Sequence, residues 1–425
     1  MSIELIIFLT MVATFIGGCF LLKLPVSISM VASAVAGALV AGEGLPLRHL
    51  VEGMFSYVDT ILVITCAMIF MRVVQDSGAL DALASLIIEK FHKTPALLLC
   101  LIMLVIMFPG MITGSSTASV LSAGSIMAPV LMLMGIPMLE TACILAMGGV
   151  LGMIAPPVNI PAMIIGGGID IPYVGFELPL ALLTFPLAIF SVLFFGYKYV
   201  KALDYQAIKS KLNNGSRKEF GFKVYIPLFV AIILMVVNKT IPAVPDLGMP
   251  LVFLIAAGVG MFTGYKINIV NVCKESIKSV LPVLGILMGV GMFIQIMTLT
   301  GVRGFIVTSC LSLPNLLLYI AMAISIPLFG SVSSYGAASV LGVPFLLAFM
   351  SKNQIVTAAA ISLIASLGDM MPPTALAGIF AAQVVGLEKY TPVLKKCVVP
   401  ALLIIAWAIF FIVFANKLAP FIVLK

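Results

Sequence analysis

Residues 114–130 read GSSTASVLSAGSIMAPV, and residues 330–345 read GSVSSYGAASVLGVPF. They are two copies of one stretch, and each leads to a proline pair. Residues 151–168 are LGMIAPPVNIPAMIIGGG and residues 367–383 are LGDMMPPTALAGIFAAQ. The first copy covers 114–175, with a loop and a short helix expected before its proline pair; the second covers 330–386. Thr141-Ala142 matches Thr357-Ala358, Leu151-Gly152 matches Leu367-Gly368, and Pro156-Pro157 matches Pro372-Pro373, all at one constant offset. Pro129 and Pro344 correspond once a single residue is inserted. Small hydroxyl residues, then a proline, a helix and a proline pair cannot make a continuous membrane helix. Such a succession breaks helices inside a bilayer.

Composition sets the medium. Hydrophobic residues make up 62% of the chain and charged residues 9%, which excludes a soluble globular domain. Apolar runs of about 18 residues or more, each enough to cross a hydrocarbon core, recur from end to end. They are continuous, whereas barrel strands alternate. The expected fold is therefore an all-α polytopic membrane protein, with the lipid bilayer as a partner. The opening MSIELIIFLTMVATFIGG lacks a basic leader and carries Glu4, so it reads as a retained span and not a cleaved signal.

Basic residues report topology and not nucleic acid. Lys198, Lys201, Lys209, Lys211, Arg217, Lys218 and Lys223 cluster in one long polar segment, which the positive-inside rule places in the cytoplasm. The seven cysteines are scattered with no CxxC pair, and His49 and His92 are the only histidines. That argues against disulfides, a transition-metal site and a cofactor.

The halves repeat one order. The first span ends at Lys23 and Pro25 opens the second; a polar stretch covers 43–59; a span over 61–74 contains Arg72 and closes at Gly78. Residues 79–93 place Leu80, Leu83, Leu86, Ile87 and Phe91 at helical spacing, as a short interfacial helix does. Spans at 96–111 and 178–200 complete the half. In the second half, 227–237, 280–299, 316–329 and 393–418 are the corresponding spans, Pro250 plays the part of Pro25, and Phe293 and Gly301 match Phe70 and Gly78. Lys23 and the basic loop at 266–278 fall on the cytoplasmic side if the N-terminus is outside. Each half then crosses an odd number of times, and residues 1–200 and 223–425 form two inverted structural repeats about a connector at 201–222.

Freed carbonyls and hydroxyls at the breaks make an oxygen cage suited to a hard cation such as sodium, while helix N-termini attract an anion. The candidates in the first half are Thr113, Gly114, Ser115, Ser116, Thr117, Ser119, Pro156, Pro157 and Asn159. Those in the second are Gly330, Ser331, Ser333, Ser334, Gly368, Asp369, Pro372 and Thr374. The bland alternative is that small residues here only allow close helix packing. Asp369 is the sharpest, an acid in an apolar run whose counterpart in the first copy is Met153. It could ligate sodium or carry a proton; the alternative is that it lies near the interface and snorkels to water. Arg72 could take a substrate carboxylate, but pairing with Asp76 one turn on is the favoured reading.

These residues resemble the large membrane subunit of the tripartite ATP-independent periplasmic (TRAP) transporters, within the broader ion-transporter fold group. The resemblance runs through LKLPVSISMVASAVAG, MFSYVDTILVITCAMIFMRVVQDSG and GSSTASVLSAGSIMAPVLMLMG, and is most specific in the two proline-pair blocks. It implies a sodium-coupled, elevator-type secondary transporter with two re-entrant helical hairpins, near 114–137 and 330–351, beside broken helices near 153–161 and 369–377. Ser115, Ser116 and Thr117 fall at the first hairpin tip, and Ser331, Ser333 and Ser334 at the second. The implied cargo is a small organic anion; the implied partners are a small four-helix membrane subunit and a periplasmic substrate-binding protein. Arg72 departs from the family, many of whose members carry an acid there, and 332–335 lacks the acid often found early in the second hairpin.

The expected function is sodium-driven import of a small organic anion, a carboxylate or dicarboxylate or a sugar acid, across a bacterial inner membrane. The alternative within transport is a proton-coupled carrier of the same fold that needs no binding protein. An intramembrane aspartyl protease would need a second carboxylate sharing the site, and Asp76 and Asp170 both read as boundary residues.

Overall fold

The computed structural model describes residues 2–200, 219–240, 245, 247–311, 314–372 and 374–423. Lys201, Lys209, Lys211, Arg217 and Lys218 of the connector lie outside the described residues, as does Pro373. Every regular element among the described residues is helical. Among the described residues, six helices are long and apolar enough to cross a membrane, or seven if one bent pair is a single span. With no water in the bilayer core, a helix satisfies its backbone groups internally.

The opening helices, Ile3–Phe20 and Val26–Val40, start at Ser2 and Pro25 and pack through small residues. Ser33 Oγ donates to the Met11 carbonyl, and a Cβ on Gly18 would come 2.7 Å from Ser29 Oγ. Val58–Asp76 stops at Gly78, whose φ of +80° turns the chain into Ala79–Phe91. Ile269–Leu299 ends in the same way at Gly301, φ +74°, before Val302–Leu311. Phe70 and Phe293, matched in sequence, are both fully buried.

Three expectations change. The polar stretch at 43–59 contains a helix, Leu47–Phe55, seated on Ile269–Leu299 where Gly53 meets Gly291: a Cβ on Gly53 would lie 2.5 Å from the Gly291 carbonyl oxygen. The basic segment at 266–278 is mostly helix and not loop, because the Asn268 side chain accepts from the Val270 and Asn271 N–H groups and starts the helix early. The short helix expected after Gly78 forms as Ala79–Phe91 and buries Ala79, Leu80, Ala82, Ala84, Ser85 and Ile88. Tyr225 donates to the Ala82 carbonyl, and Leu83 and Leu86 line an open apolar cavity of about 740 Å³. The closing span at 393–418 is interrupted: Val398–Val413 and Ala415–Ile422 meet at 85°. Asn416 holds that bend, accepting from the Asn353 N–H at 2.6 Å and donating to the Ser351 carbonyl at 3.0 Å.

The centre of the molecule is built from the proline-pair blocks. The expected short helix before the first pair is Met138–Ile154, 17 residues, buried throughout from Glu140 to Ile154. Its counterpart Gln354–Ser366 is buried from Val356 to its end.

Candidate functional site

Each hairpin tip is shaped by its own serines. Pro95–Thr113 carries Pro109 in its last turns and stops at Gly114, whose φ is +65°. Ser115 then caps a new turn, Ser116–Ser119, by accepting from the Ala118 N–H at 3.3 Å. A π-turn, Val120–Gly124, follows before Ser125–Leu133. The second tip repeats this construction. Asn315–Gly330 carries Pro327 near its end, Ser333 caps Ser334–Ala337 by accepting from the Gly336 N–H at 3.2 Å, and a π-turn at Ala338–Gly342 precedes Val343–Ala348. Such single π-turns inside helices are frequent at functional sites. Ser115 and Ser333 are thus caps. Thr113 bonds back to the Pro109 carbonyl at 2.7 Å, and Ser331 to the Leu328 carbonyl at 2.6 Å.

The proline pairs open the two helices behind these tips. After Met138–Ile154 comes a cis Pro156–Pro157 bond, and helix resumes at Ile160–Gly167. Asn159 spans the break: its carbonyl oxygen accepts from the Ala162 N–H at 2.9 Å, and its amide donates to the Ile154 carbonyl and to Ser362 Oγ. The freed Val158 N–H donates to the Met111 carbonyl of the first hairpin at 3.1 Å. In the second copy Gln354–Ser366 tightens into a 3₁₀ turn, Leu367–Met370, and Pro372 precedes the break. Thr374 donates to the Ser331 carbonyl of the second hairpin at 2.8 Å, and helix resumes at Leu376–Val385. Each hairpin also packs backbone to backbone on its broken helix. A Cβ on Gly110 would lie 2.9 Å from the Gly152 carbonyl carbon, and one on Gly330 2.8 Å from the Gly368 Cα.

Asp369 is where the two copies meet. It is 7% exposed; Ser334 Oγ donates to one carboxylate oxygen at 2.6 Å, and Ser116 Oγ donates to the other in a short hydrogen bond. Tyr335 OH donates to the Gly114 carbonyl at 2.9 Å, tying the tips together beside the acid. The snorkelling alternative fails, because the carboxylate is buried and both its oxygens are satisfied inside the protein. A carboxylate, hydroxyls and freed carbonyls are hard oxygen donors, the set a sodium ion takes.

Of the expected site residues, Ser116, Ser334 and Asp369 come together. Asn159 and Thr374 brace the breaks, and Gly110, Gly152, Gly330 and Gly368 serve close packing. Tyr335 was missed as a site residue; an aromatic hydroxyl beside two tip serines was the available signal. Arg72 pairs with Asp76, Nε to Oδ2 at 3.1 Å, as its spacing suggested. Its side chain also lines a cavity of about 380 Å³ at the first tip, together with Gln75, Ser115, Thr117 and Glu275.

The family model of the tripartite ATP-independent periplasmic transporter, DctM component, matches residues 7–422. No curated protein matches the chain at a significant level. Among solved structures, the fold is similar to that of the YdaH transporter of Alcanivorax borkumensis, described as having an unusual topology. The TM-score is 0.59 and the identity 15%, over 88% of this chain and 88% of that one. At that identity the likeness concerns the fold alone. The match along nearly the whole chain, over the same broken helices and serine tips that converge on Asp369, places this multi-pass membrane protein in the DctM-component family of TRAP transporters.

Proposed function

We propose that the chain is the large permease of a sodium-coupled system that imports a small organic anion across a bacterial inner membrane. In this reading residues 1–200 and 223–425 are inverted repeats, the two hairpins are re-entrant, and a core containing them moves in elevator fashion against the remaining helices. A small four-helix membrane subunit and a periplasmic binding protein complete the tripartite assembly that the family description names. The observation that carries the reading is the convergence of Ser116 and Ser334, from different halves, on one buried carboxylate. An acid at membrane depth costs roughly 2.5–3.5 kcal/mol on insertion scales and is kept where it serves an ion pathway.

The same carboxylate supports a second reading, in which Asp369 carries a proton and the carrier works without a binding protein. Its hydrogen-bond partners among the described residues are hydroxyls, which suit either protonation state. One experiment separates the two. Thermal unfolding of the purified protein is followed in sodium and in potassium at equal ionic strength, with Asp369→Asn alongside. A bound ion stabilises by about 2.7 kcal/mol at a hundred times its dissociation constant. Sodium stabilisation that Asp369→Asn loses supports the sodium carrier. Stability that ignores sodium but follows pH through Asp369 supports the proton carrier, and no response to either ion removes both readings.

A further inference from the structure

Tyr57, at the start of Val58–Asp76, is 3% exposed and reaches across the seam between the supporting helices and the first broken helix. Its hydroxyl donates to the Ile164 carbonyl at 2.9 Å, 107 residues further along the chain. The ring sits between two glycine backbones. A Cβ on Gly167 would lie 2.9 Å from one edge, and a Cβ on Gly291 of Ile269–Leu299 would lie 3.3 Å from the other. Gly291 also meets Gly53, so the supporting side is closed backbone to backbone. On the core side, a Cβ on Gly168 would collide with the side chain of Val343 in the second hairpin. Tyr57 thus bears on a broken helix of one half that is itself seated against the hairpin of the other.

Such a contact can be made and broken as a unit. Glycine gives the ring no side chain to interlock with, so its edges are held by van der Waals contact alone. The directional restraint is the one hydrogen bond. The Ile164 carbonyl also accepts from the Gly168 N–H at 2.9 Å, so it keeps a partner when the tyrosine departs. We propose that Tyr57 is a latch. It fastens the core to the supporting helices in the conformation described, and its release from Ile164 accompanies movement of the core. The proposal rests on the elevator reading and names a contact that regulates it.

Val343→Cys serves as the reporter in the full chain. Val343 is 2% exposed, packs on Gly168 and shares a small cavity with Arg303 of Val302–Leu311, so a thiol there is reached only when the seam opens. Its rate of modification by a maleimide is followed by peptide mass mapping, without sodium or cargo. The native Cys143, fully buried inside Met138–Ile154, reports unfolding in the same sample. Tyr57→Phe is expected to raise the rate at position 343 about fivefold, the population change that one net hydrogen bond supports, and to leave Cys143 unchanged. Gly167→Ala keeps the hydroxyl but drives a methyl against the ring, and should raise the rate as well. Tyr225→Phe deletes a comparable bond, to the Ala82 carbonyl away from the seam, and should leave the rate at its wild-type level. An unchanged rate in Tyr57→Phe would overturn the proposal. So would an equal rise in Tyr225→Phe, or Cys143 labelling that climbs in step, since either makes Tyr57 an ordinary packing residue. A reporter that is never labelled shows a seam that does not open, and overturns the elevator reading together with the latch. A missing sodium response removes the sodium reading alone and leaves this test standing.

Discussion

A Cβ placed on Gly368 would come 2.5 Å from the Gly330 carbonyl oxygen, so the second hairpin and the broken helix behind it touch backbone to backbone. Neither side can yield by rotating a side chain. Gly368→Ala is therefore expected to cost about 1–3 kcal/mol through overpacking, whereas Gly258→Ala, with nothing within 4 Å of the new Cβ, should be neutral or slightly stabilising. Thermal unfolding of the two variants side by side checks this. Similar melting temperatures would mean that the hairpin is not seated where it is described.

Ser116 and Ser334 share one acceptor group, so their deletions should not add. Ser334→Ala or Ser116→Ala alone leaves the buried carboxylate of Asp369 one donor short, at roughly 1–3 kcal/mol. In the double variant, protonation of the acid can relieve the deficit, and the combined cost should fall short of the two single costs taken together. A double-mutant cycle on unfolding free energies measures the coupling. Additive losses would place the two hydroxyls on separate partners.

Asn159 reads in sequence as an ion ligand, but in the fold its amide is committed to the break. Asn159→Ala loses a helix cap and two donated hydrogen bonds, with an expected cost of about 1–3 kcal/mol. Its stabilisation by sodium should persist, in contrast to that of Asp369→Asn. A sodium response abolished by Asn159→Ala would return the residue to the ion site.

Glu140 is buried at the start of Met138–Ile154, where Lys396 donates to it in a short contact and Tyr199 OH donates at 2.7 Å. The lysine side chain is 36% exposed and the glutamate 6%, so the two ends of the pair are not equivalent. Lys396→Met strands the buried acid and should destabilise by about 1–3 kcal/mol, less than a fully buried pair because water reaches the lysine. Adding Glu140→Gln should recover part of that loss. A double variant less stable than Lys396→Met, by chemical or thermal unfolding, would contradict this account.

What the sequence by itself determined is the set of consequences that follow from local chemistry in a medium without water. Proline removes a backbone donor and glycine admits positive φ, so the Pro156-Pro157 and Pro372-Pro373 pairs and the turns at Gly78 and Gly301 are legible wherever they stand. Arg72 and Asp76, one helical turn apart, belong to the same class. The Leu47–Phe55 helix and the bend before Ala415–Ile422 escaped because both are fixed by partners distant in the chain. One depends on the close approach of Gly53 to Gly291, the other on Asn416 reaching Asn353 and Ser351.

Only the tertiary structure decided which hydroxyls matter. Ser115, Ser116 and Thr117 look interchangeable in a row. Yet Ser115 caps a turn, Ser116 meets an acid 253 residues away, and Thr117 faces a cavity. A helical turn sends successive side chains in different directions, and the partner waiting in each direction is set by how distant helices cross. The burial of Asp369 was decided in the same way. Burial depends on what packs around a residue, and for Asp369 that is the meeting of two hairpins from opposite halves of the chain.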